Sequence, residues 1–396
     1  MKVVLAYSGG LDTSAAIGWL KQVRGATRVI AVLVNVGQED DFPMLEERAY
    51  RLGADQVHIV DQRAAMAEQG IAPMLKLGAV YEQDYLLGTA VARPFIADAL
   101  VQAALESGAG AICHGATGKG NDYLRFEQRV KILAPGLQII SPWREWACNG
   151  REEAQAMVAA SGVSIPAKSF DYSVDANLWH TSYEGGTLED LGQAPAPFFT
   201  EKMSQTGEVT VSLKWEKGTP VALNGKHLPL AELITQLNHL LEPTGLGWLD
   251  LLETRTNGLK SRGIYHTPAG TLLYKARTAL NQCWFAKPTL DYLAKMGTDY
   301  GRMLYQGLWQ HPIQKAMQAA ADSLYAETAG TIALKVTGAT VHILSREASP
   351  NLFADQLGGF GHMDQWNAAY SEALVFFQHL QNYSVPAEFG IQQPVA

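Results

Sequence analysis

Short apolar runs alternate with amphipathic stretches along the first 165 residues of the chain. The runs hold three to six residues each, too few for a helix, so the pattern predicts β-strands. The predicted strands are Val3–Ala6, Val29–Val34, Gln56–Val60, Ala111–Cys113 and Gln138–Ile140. The stretches between them predict helices, several of which are followed by a glycine that can end the helix. The predicted helices are Thr13–Val23, Pro43–Leu52, Pro94–Glu106, Asp122–Ile132 and Arg151–Ala160.

This alternation predicts an α/β fold built on a parallel, doubly wound, Rossmann-like sheet. The strands are almost wholly apolar, as in sheets that helices cover on both faces. In such sheets ligands bind beyond the carboxyl ends of the strands. The loops after Ala6, Val34 and Cys113 all lie at that edge, and they carry the most unusual residues of the chain.

The second half of the chain has a less regular pattern and predicts a separate α+β domain. Its predicted elements are a strand at Gly207–Trp215, a helix at Leu228–Leu241, a β-hairpin of Thr331–Val336 and Val341–Leu344, and a helix at Gln365–Leu380. We therefore expect domains at 1–165 and 166–362, followed by a C-terminal helix and tail at 363–396. Residues 384–396 lack periodicity and predict a flexible tail. Apolar stretches that a monomer would leave uncovered favour an oligomer.

Composition narrows the class of protein. The chain has 396 residues, more than one core usually supports, which agrees with two domains. Its net charge of -8 and the lack of a basic run argue against a nucleic-acid partner. The cysteines, Cys113, Cys148 and Cys283, form no Cys-x-x-Cys pair, so neither a zinc site nor a disulfide framework is expected. With no signal-peptide pattern and no apolar run of about 18 residues, we expect a cytoplasmic protein without a membrane partner.

The loop Ser8-Gly-Gly-Leu-Asp-Thr-Ser14 joins the first predicted strand to the first helix. Glycines let backbone N–H groups approach phosphate oxygens, and a helix N-terminus favours negative charge. Thr13 and Ser14 can also cap the helix. Asp12 would repel phosphate unless it faces a Mg²⁺ ion that enters with a nucleotide. The alternative is an ordinary strand-to-helix turn rich in Ser and Gly.

A second glycine-rich loop, His114-Gly-Ala-Thr-Gly-Lys-Gly-Asn-Asp122, also lies between a strand and a helix. Thr117, Asn121 and the first N–H groups of the helix can hold a carboxylate, whereas Asp122 can accept from an ammonium group. Such a pair of partners suits a zwitterionic amino acid. The alternative is a turn in which Asn and Asp cap the helix.

The stretch Tyr85–Pro94 places Arg93 directly before a proline that can begin a helix. An arginine there can hold a carboxylate through two parallel hydrogen bonds, although a surface salt bridge is the commoner use. No nucleophilic triad is visible, and no partner can be assigned to His58, His114 or His180, which favours a reaction without a covalent enzyme intermediate.

These motifs resemble known enzymes. The string Ser8–Ser14 is similar to the pyrophosphate-binding loop of the N-type ATP pyrophosphatase superfamily, whose members cleave ATP to AMP and pyrophosphate. Further strings resemble the argininosuccinate synthase family, from residue 1 to about 270 and more loosely to about 349. These strings are Asn35–Gln38, Tyr85–Thr89, Ala92–Pro94, His114–Asp122 and Gly258–Tyr265.

The resemblance implies an ATP- and Mg²⁺-dependent ligation of citrulline and aspartate, through a citrullyl-adenylate, in a homotetramer. The implied ATP contacts are Ala6, Tyr7, Ser8, Gly9, Gly10, Leu11, Asp12, Thr13, Ser14, Val34 and Gly115. The implied citrulline contacts are Tyr85, Ala90, Asn121, Arg125, Ser173, Ser182, Glu253 and Tyr265. The implied aspartate contacts are Thr117, Asn121 and Asp122. Asp12, Arg93 and Asp122 are the implied catalytic residues. Family members often have Ser where Ala90 stands, so that contact would come from the backbone or from a neighbour such as Thr89.

Two other interpretations stay open from the sequence. Another ATP pyrophosphatase would have its own signature, such as paired catalytic cysteines with a basic face for tRNA thiolation, or a Gly-x-Cys-x-Gly nucleophile for a glutamine-dependent GMP synthetase. The sequence contains none of these. A nucleotide-sensing module without chemistry would bind ATP but release no pyrophosphate when citrulline is added.

Overall fold

The computed structural model describes residues 1–118, 120–145, 151–159, 161–163, 165, 172–359, 367 and 369–382. These residues form two compact units, residues 1–350 and a second unit that begins at Asn351. The predicted tail at 384–396 and the predicted helix start at Gln365 lie outside the described residues. Among the residues that are described, no helix has both the length and the apolar character needed to cross a membrane.

A parallel five-stranded sheet is the centre of the first half of the chain, as predicted. Its strands are β1 Lys2–Ala6, β2 Arg28–Asn35, β3 Gln56–Asp61, β4 Ala111–Cys113 and β5 Gln138–Ile140. They lie in the order β3-β2-β1-β4-β5, and every pairing is parallel. Val3 and Leu5 pack into one apolar cluster whereas Val4 packs into another, so both faces are covered. The strand order reverses at β1, which opens a crevice between the loops after β1 and β4.

Helices cover this sheet. They are α1 Leu11–Gln22, α2 Phe42–Arg51, α3 Arg63–Ala65, a π-helical turn at Met66–Ile71, α4 Ala72–Leu77, α5 Gly88–Ser107, α6 Asp122–Leu133, α7 Pro142–Glu145 and α8 Arg151–Ala159.

Two predicted helix starts were wrong. Helix α1 begins at Leu11 after an N-cap at Gly10, so Thr13 and Ser14 lie within its first turn and do not cap it. Helix α5 begins at Gly88, after Leu87 in the left-handed conformation, and Pro94 lies inside the helix. Proline is unfavourable within a helix, but α5 is buried over most of its length, so tertiary packing outweighs that local preference.

The rest of the first unit contains two antiparallel sheets. Its strands are β6 Ser173–Ala176, β7 Thr181–Glu184, β8 Glu208–Glu216, β9 Thr219–Leu223, β10 Lys226–His227, β11 Trp248–Thr254, β12 Lys260–His266, β13 Ala329–Thr337 and β14 Thr340–Ser349. One sheet has the order β10-β9-β8-β13-β14 and the other β11-β12-β7-β6. The predicted β8 strand and the predicted hairpin, now β13–β14, are confirmed, but the sheet that contains β6, β7, β11 and β12 was not predicted.

Further helices accompany these sheets. They are a 3₁₀ turn at Gly186–Glu189, α9 Pro197–Met203, α10 Leu230–Leu241, α11 Pro268–Trp284, α12 Lys287–Tyr305 and α13 Pro312–Tyr325. The prediction at Leu228–Leu241 is confirmed by α10. The second unit contains α14 Asp355–Gly358 and α15 Ala369–Asn382, and α15 confirms the described part of the predicted C-terminal helix.

Candidate active site

The glycine loop between β1 and α1 is closed by its own hydroxyl groups. The Oγ atoms of Ser8 and Thr13 lie 3.2 Å apart, and Thr13 Oγ1 donates to the carbonyl oxygen of Gly10 at 3.3 Å. Gly9 has φ +73°, and a Cβ atom there would stand 2.3 Å from Leu45 Cδ2, so glycine alone fits without displacement. The first-turn N–H groups of α1 have no acceptor within the helix. These N–H groups are of the kind that bind anions at helix N-termini, so the loop is a candidate anion-binding site.

Some predicted ATP contacts are buried beneath this loop. The hydroxyl groups of Tyr7 and Ser14 lie 3.4 Å apart, and both side chains are buried. Val34 is buried near the end of β2, and its carbonyl oxygen accepts from Gln38 Nε2 at 2.8 Å. Asp12 lies in the first turn of α1. The other predicted contacts at this edge are Ala6, Gly10 and Leu11.

The loop after β4 contacts the glycine loop between β1 and α1 directly. A Cβ atom at Gly115 would stand 3.0 Å from Thr13 Cγ2, so the two loops lie against each other. His114, which precedes Gly115, is buried, packs on Phe126 and lies 3.3 Å from Glu127 Oε1. His114 is thus a packed residue.

The same loop ends in a cluster of paired charges at the start of α6. Asp122 Oδ2 lies 2.9 Å from Arg93 Nη2, and Asp122 Oδ1 lies 3.0 Å from Arg125 Nη1. Arg93 Nη2 also lies 2.9 Å from Asp175 Oδ2. Burial alone would raise the pKa of Asp122, but the two arginines outweigh it and hold that pKa below its ordinary value. Asp122 is therefore ionised and fixed in place at neutral pH.

Tyr305, the last residue of α12, connects this cluster to the antiparallel sheet. Its carbonyl oxygen accepts from Arg125 Nε at 3.1 Å and from Nη2 at 3.0 Å. A cation at the end of a helix is favourable, since the last carbonyl groups have no partner within the helix. Its hydroxyl group accepts from Asn121 Nδ2 at 2.9 Å, and Asn121 Oδ1 accepts from the Thr256 N–H at 2.9 Å. Both ends of the Asn121 amide are thus fixed by the protein.

Glu253 is buried, as are Tyr85 and Tyr265, and it interacts with the Tyr305 hydroxyl group. The rings of the two tyrosines pack with their centroids 4.6 Å apart. Burial and, to a smaller extent, the nearby Glu184 raise the pKa of Glu253 to about 7, against the opposing effects of Arg125 and Tyr305. Glu253 Oε2 is buried and has no hydrogen-bond partner within the described part of the chain.

His180 and Thr89 form the wall next to Arg93. The Thr89 hydroxyl group lies 3.0 Å from His180 Nε2 and 3.3 Å from Asp175 Oδ2. Burial, reinforced by Arg93 and Arg125, lowers the pKa of His180 to about 3, so its ring is neutral. Thr89 directly precedes the position at which family members often have a serine. That position, Ala90, is buried on α5.

The remaining predicted residues lie at the margins of the cluster. The Ser182 hydroxyl group donates to the carbonyl oxygen of Asp175 at 3.4 Å. Ser173 is exposed at the start of β6, two residues before Asp175 and therefore on the same face of the strand. Thr117 is exposed on the loop after Gly115.

Several residues of the cluster were missed from the sequence. They are Asp175, His180, Glu184, Thr256 and Tyr305. Asp175 and Glu184 each lie two residues after a predicted citrulline contact, Ser173 and Ser182 respectively. Tyr305 had a weak signal, since Gly307 follows an amphipathic stretch and could have marked the end of a helix.

A parallel sheet in the order β3-β2-β1-β4-β5, with a glycine loop after its first strand, defines a nucleotide-binding α/β protein. Comparison with known proteins is more specific. The family model for the arginosuccinate synthase N-terminal HUP domain matches residues 2–164, and the model for the arginosuccinate synthase C-terminal domain matches residues 172–385. The chain belongs to the argininosuccinate synthase family, as the resemblance in its sequence had indicated.

Curated argininosuccinate synthases are similar to this chain over most of its length. The argininosuccinate synthase of Moorella thermoacetica is 43% identical over 366 residues, which cover 91% of this chain and 90% of the relative. The argininosuccinate synthase of Caldicellulosiruptor saccharolyticus is 41% identical over 381 residues, 94% of each chain. Enzymes of this family ligate citrulline and aspartate in arginine biosynthesis and use ATP as a substrate.

Proposed function

We propose that this chain ligates citrulline and aspartate to argininosuccinate and releases AMP and pyrophosphate, through a citrullyl-adenylate. The observation that carries the proposal is the course of the loop after β4. At Gly115 it contacts Thr13 of the anion-binding loop, and at Asp122 it enters the charged cluster with Arg93 and Arg125. The phosphates of a nucleotide and a charged amino acid would therefore meet along one loop.

The first step joins citrulline to the nucleotide. The ureido oxygen of citrulline attacks the α-phosphorus of ATP, and the bond from that phosphorus to the oxygen bridging the β-phosphorus breaks. Pyrophosphate leaves with that electron pair toward the loop Ser8–Ser14, where backbone N–H groups and the N-terminus of α1 stabilise its charge. In the second step the neutral amine of aspartate attacks the ureido carbon, the bond to the AMP oxygen breaks, and the nitrogen loses a proton.

Different residues of the charged cluster would bind the two amino acids. Asp122 would receive the ammonium group of aspartate, while Arg93 and Arg125 keep the Asp122 carboxylate oriented. Arg125 uses three of its five N–H groups within the protein, at Asp122 and Tyr305, which leaves two for the carboxylate of citrulline. The unpartnered Oε2 of Glu253 would accept from the ureido N–H groups.

Mg²⁺ fits this site as a companion of ATP. Asp12 places a carboxylate in the first turn of α1, where it would repel phosphate unless a cation lies between them. Among the described residues, no group of three or more His, Cys, Asp or Glu side chains is arranged to hold a metal ion, so phosphate oxygens would complete its ligands. When bound, the ion would neutralise part of the phosphate charge.

Isotope labelling tests the proposed chemistry. We expect AMP and pyrophosphate only when ATP, Mg²⁺, citrulline and aspartate are present together in steady state, and glutamate or ornithine should not replace the amino acids. Citrulline labelled with heavy oxygen at the ureido group should yield labelled AMP and unlabelled pyrophosphate, which mass spectrometry measures. Label in inorganic phosphate, together with release of ADP, would instead indicate transfer of the γ-phosphoryl group.

We further propose a homotetramer with a domain boundary near residue 165 and a C-terminal segment from about residue 363. The aromatic and aliphatic residues along α15 support this, since Tyr370, Leu374 and Phe377 are each 60% exposed or more. Sedimentation should give about 172 kDa, which is four chains of 43.0 kDa. A species of one chain at all working concentrations would contradict the tetramer.

A further inference from the structure

Tyr305 occupies a position that the proposed reaction does not yet use. We propose that Tyr305 is a positioning residue, whose hydroxyl group takes a hydrogen bond from Asn121 and directs its own proton to Glu253, so that the free Glu253 oxygen is presented to the ureido group. This inference rests on the proposed function and extends it to a residue outside the predicted site.

The direction of the hydrogen bonds follows from one backbone group. The Thr256 N–H can only donate, so the Asn121 atom that it contacts at 2.9 Å is the amide oxygen. Asn121 Nδ2 must then donate to the Tyr305 hydroxyl group, 2.9 Å away. Because that oxygen already accepts a hydrogen bond, its own hydrogen is directed elsewhere. Glu253 is the acceptor beside it, and the hydrogen bond from Tyr305 lowers the pKa of Glu253.

The ring of Tyr305 is held as firmly as its hydroxyl group. It stacks on Tyr81 with the centroids 3.7 Å apart and the planes 5° from parallel, and it meets Tyr85 edge to face at 6.3 Å. The Arg125 guanidinium lies 5.0 Å from the ring centroid, and it also donates two hydrogen bonds to the Tyr305 carbonyl oxygen. A ring with so many contacts can hold the hydroxyl group, and hence Glu253, in one place.

The free oxygen of Glu253 indicates what this arrangement presents. Glu253 is 5% exposed, and its Oε2 has no hydrogen-bond partner among the described residues. A buried carboxylate oxygen without a hydrogen-bond partner destabilises the protein, and a hydrogen bond from a ligand N–H group would offset that loss. Citrulline offers neutral N–H groups at its ureido end, and these need an acceptor more than they need a charge.

The charges around Glu253 oppose one another, which makes the Tyr305 hydroxyl group important for its ionisation. The groups that face it are Glu184 on β7, Arg125 on α6, Arg255 after β11, Tyr81 and Tyr85 before α5, Tyr265 on β12 and Tyr305. Burial raises the Glu253 pKa to about 7, so a modest further rise would protonate it at neutral pH. Protonation would cost Glu253 part of its capacity to accept.

Tyr305→Phe tests the proposal, with Tyr300→Phe as the matched control. Tyr300 is buried on the same helix, and its hydroxyl group accepts from Gln318 Nε2 at 2.6 Å, away from the site. Both variants lose one buried hydroxyl group, so we expect similar losses of thermal stability. Only Tyr305→Phe should raise the KM for citrulline, by about tenfold, with the KM for ATP unchanged, and should move the acid limb of kcat/KM for citrulline to higher pH.

A second measurement does not depend on activity. The carboxylic-acid band of Glu253 in infrared spectra, assigned by its loss in Glu253→Gln, should titrate at higher pH in Tyr305→Phe than in the unmodified protein or in Tyr300→Phe. An unchanged titration would overturn the proposal, as would an equal rise in the KM of all three substrates. If the unmodified protein released no pyrophosphate with citrulline, the proposed function would fail, while the infrared result would still decide whether Tyr305 controls Glu253.

Discussion

Asp122→Asn is expected to lower argininosuccinate formation by about 100-fold, whereas Asp98→Asn should leave it almost unchanged. The Asp122 carboxylate contacts both Arg93 and Arg125, and in the proposed reaction it also receives the ammonium group of aspartate. A hydrogen bond between charged groups contributes about 1.5–3 kcal/mol, or roughly 10- to 150-fold in affinity. The variant amide also gives the two arginines a neutral partner, which loosens their orientation.

Asp98 serves as a control for the effect of the Asp122→Asn substitution on stability, because its environment resembles that of Asp122. It pairs with the buried Arg129 through two hydrogen bonds of 2.5 and 2.9 Å, and its side chain is 29% exposed against 31% for Asp122. Asp98→Asn therefore leaves one buried arginine with a weaker partner, and Asp122→Asn leaves two. Because both carboxylates are partly exposed, the loss of stability should fall below the roughly 3–5 kcal/mol typical of breaking a fully buried pair. Similar unfolding curves with different activities would separate chemistry from folding.

The two half-reactions can be followed separately in Asp122→Asn. In a single turnover with ATP and citrulline alone, formation of AMP-linked product and pyrophosphate should survive in part, because Asp122 is assigned to the second amino acid. Addition of aspartate should then accelerate AMP release far less than in the unmodified protein. An equal loss in both steps, with the fold intact by circular dichroism, would mean that Asp122 serves ATP or its metal ion.

The sequence predicted the nucleotide-binding half of the molecule well because its signals are local. Strands β1, β2 and β4 are dominated by apolar residues, and each glycine loop lies at the carboxyl end of one of them. The alternation of strands and helices along the chain is enough to predict that the ligand loops meet at the carboxyl edge of the sheet. The wrong starts of α1 and α5 arose because Thr13, Ser14 and Pro94 have strong local preferences that tertiary packing overrides.

The second half of the site could not be predicted because its partners are distant in the chain. Asn121 meets Tyr305 across 184 positions and Thr256 across 135. The strand β7 carries Ser182 toward Asp175 and Glu184 toward Arg255, yet its sequence is polar and lacks a clear strand pattern. Tyrosines that pack on one another, such as Tyr85 and Tyr265, look like ordinary core residues until the fold brings the Glu253 carboxylate near them.

Gly9→Ala should raise the KM for ATP by about 100-fold and leave the fold intact. Gly9 has φ +73°, where an alanine costs about 1–2 kcal/mol, and the added Cβ would overlap Leu45 Cδ2 at 2.3 Å. Leu45 is buried on α2, whose Arg48 donates to the Gly9 carbonyl oxygen at 3.2 Å, so the loop rather than the helix is expected to move. A displacement of about 1 Å in groups that position a substrate can cost roughly 100-fold in rate.

Gly25→Ala separates the strain of the backbone from the loss of the anion site. Gly25 has φ +65° and open space where a Cβ would lie, so its variant incurs the torsional cost without a collision and far from the phosphate loop. Its KM for ATP should therefore match that of the unmodified protein, as measured by pyrophosphate release. Adding Leu45→Ala to Gly9→Ala removes the overlap and should recover part of the affinity for ATP, although Leu45→Ala alone destabilises the core by about 2–5 kcal/mol. If Gly9→Ala bound ATP normally, the phosphates would have to bind somewhere other than the loop after β1.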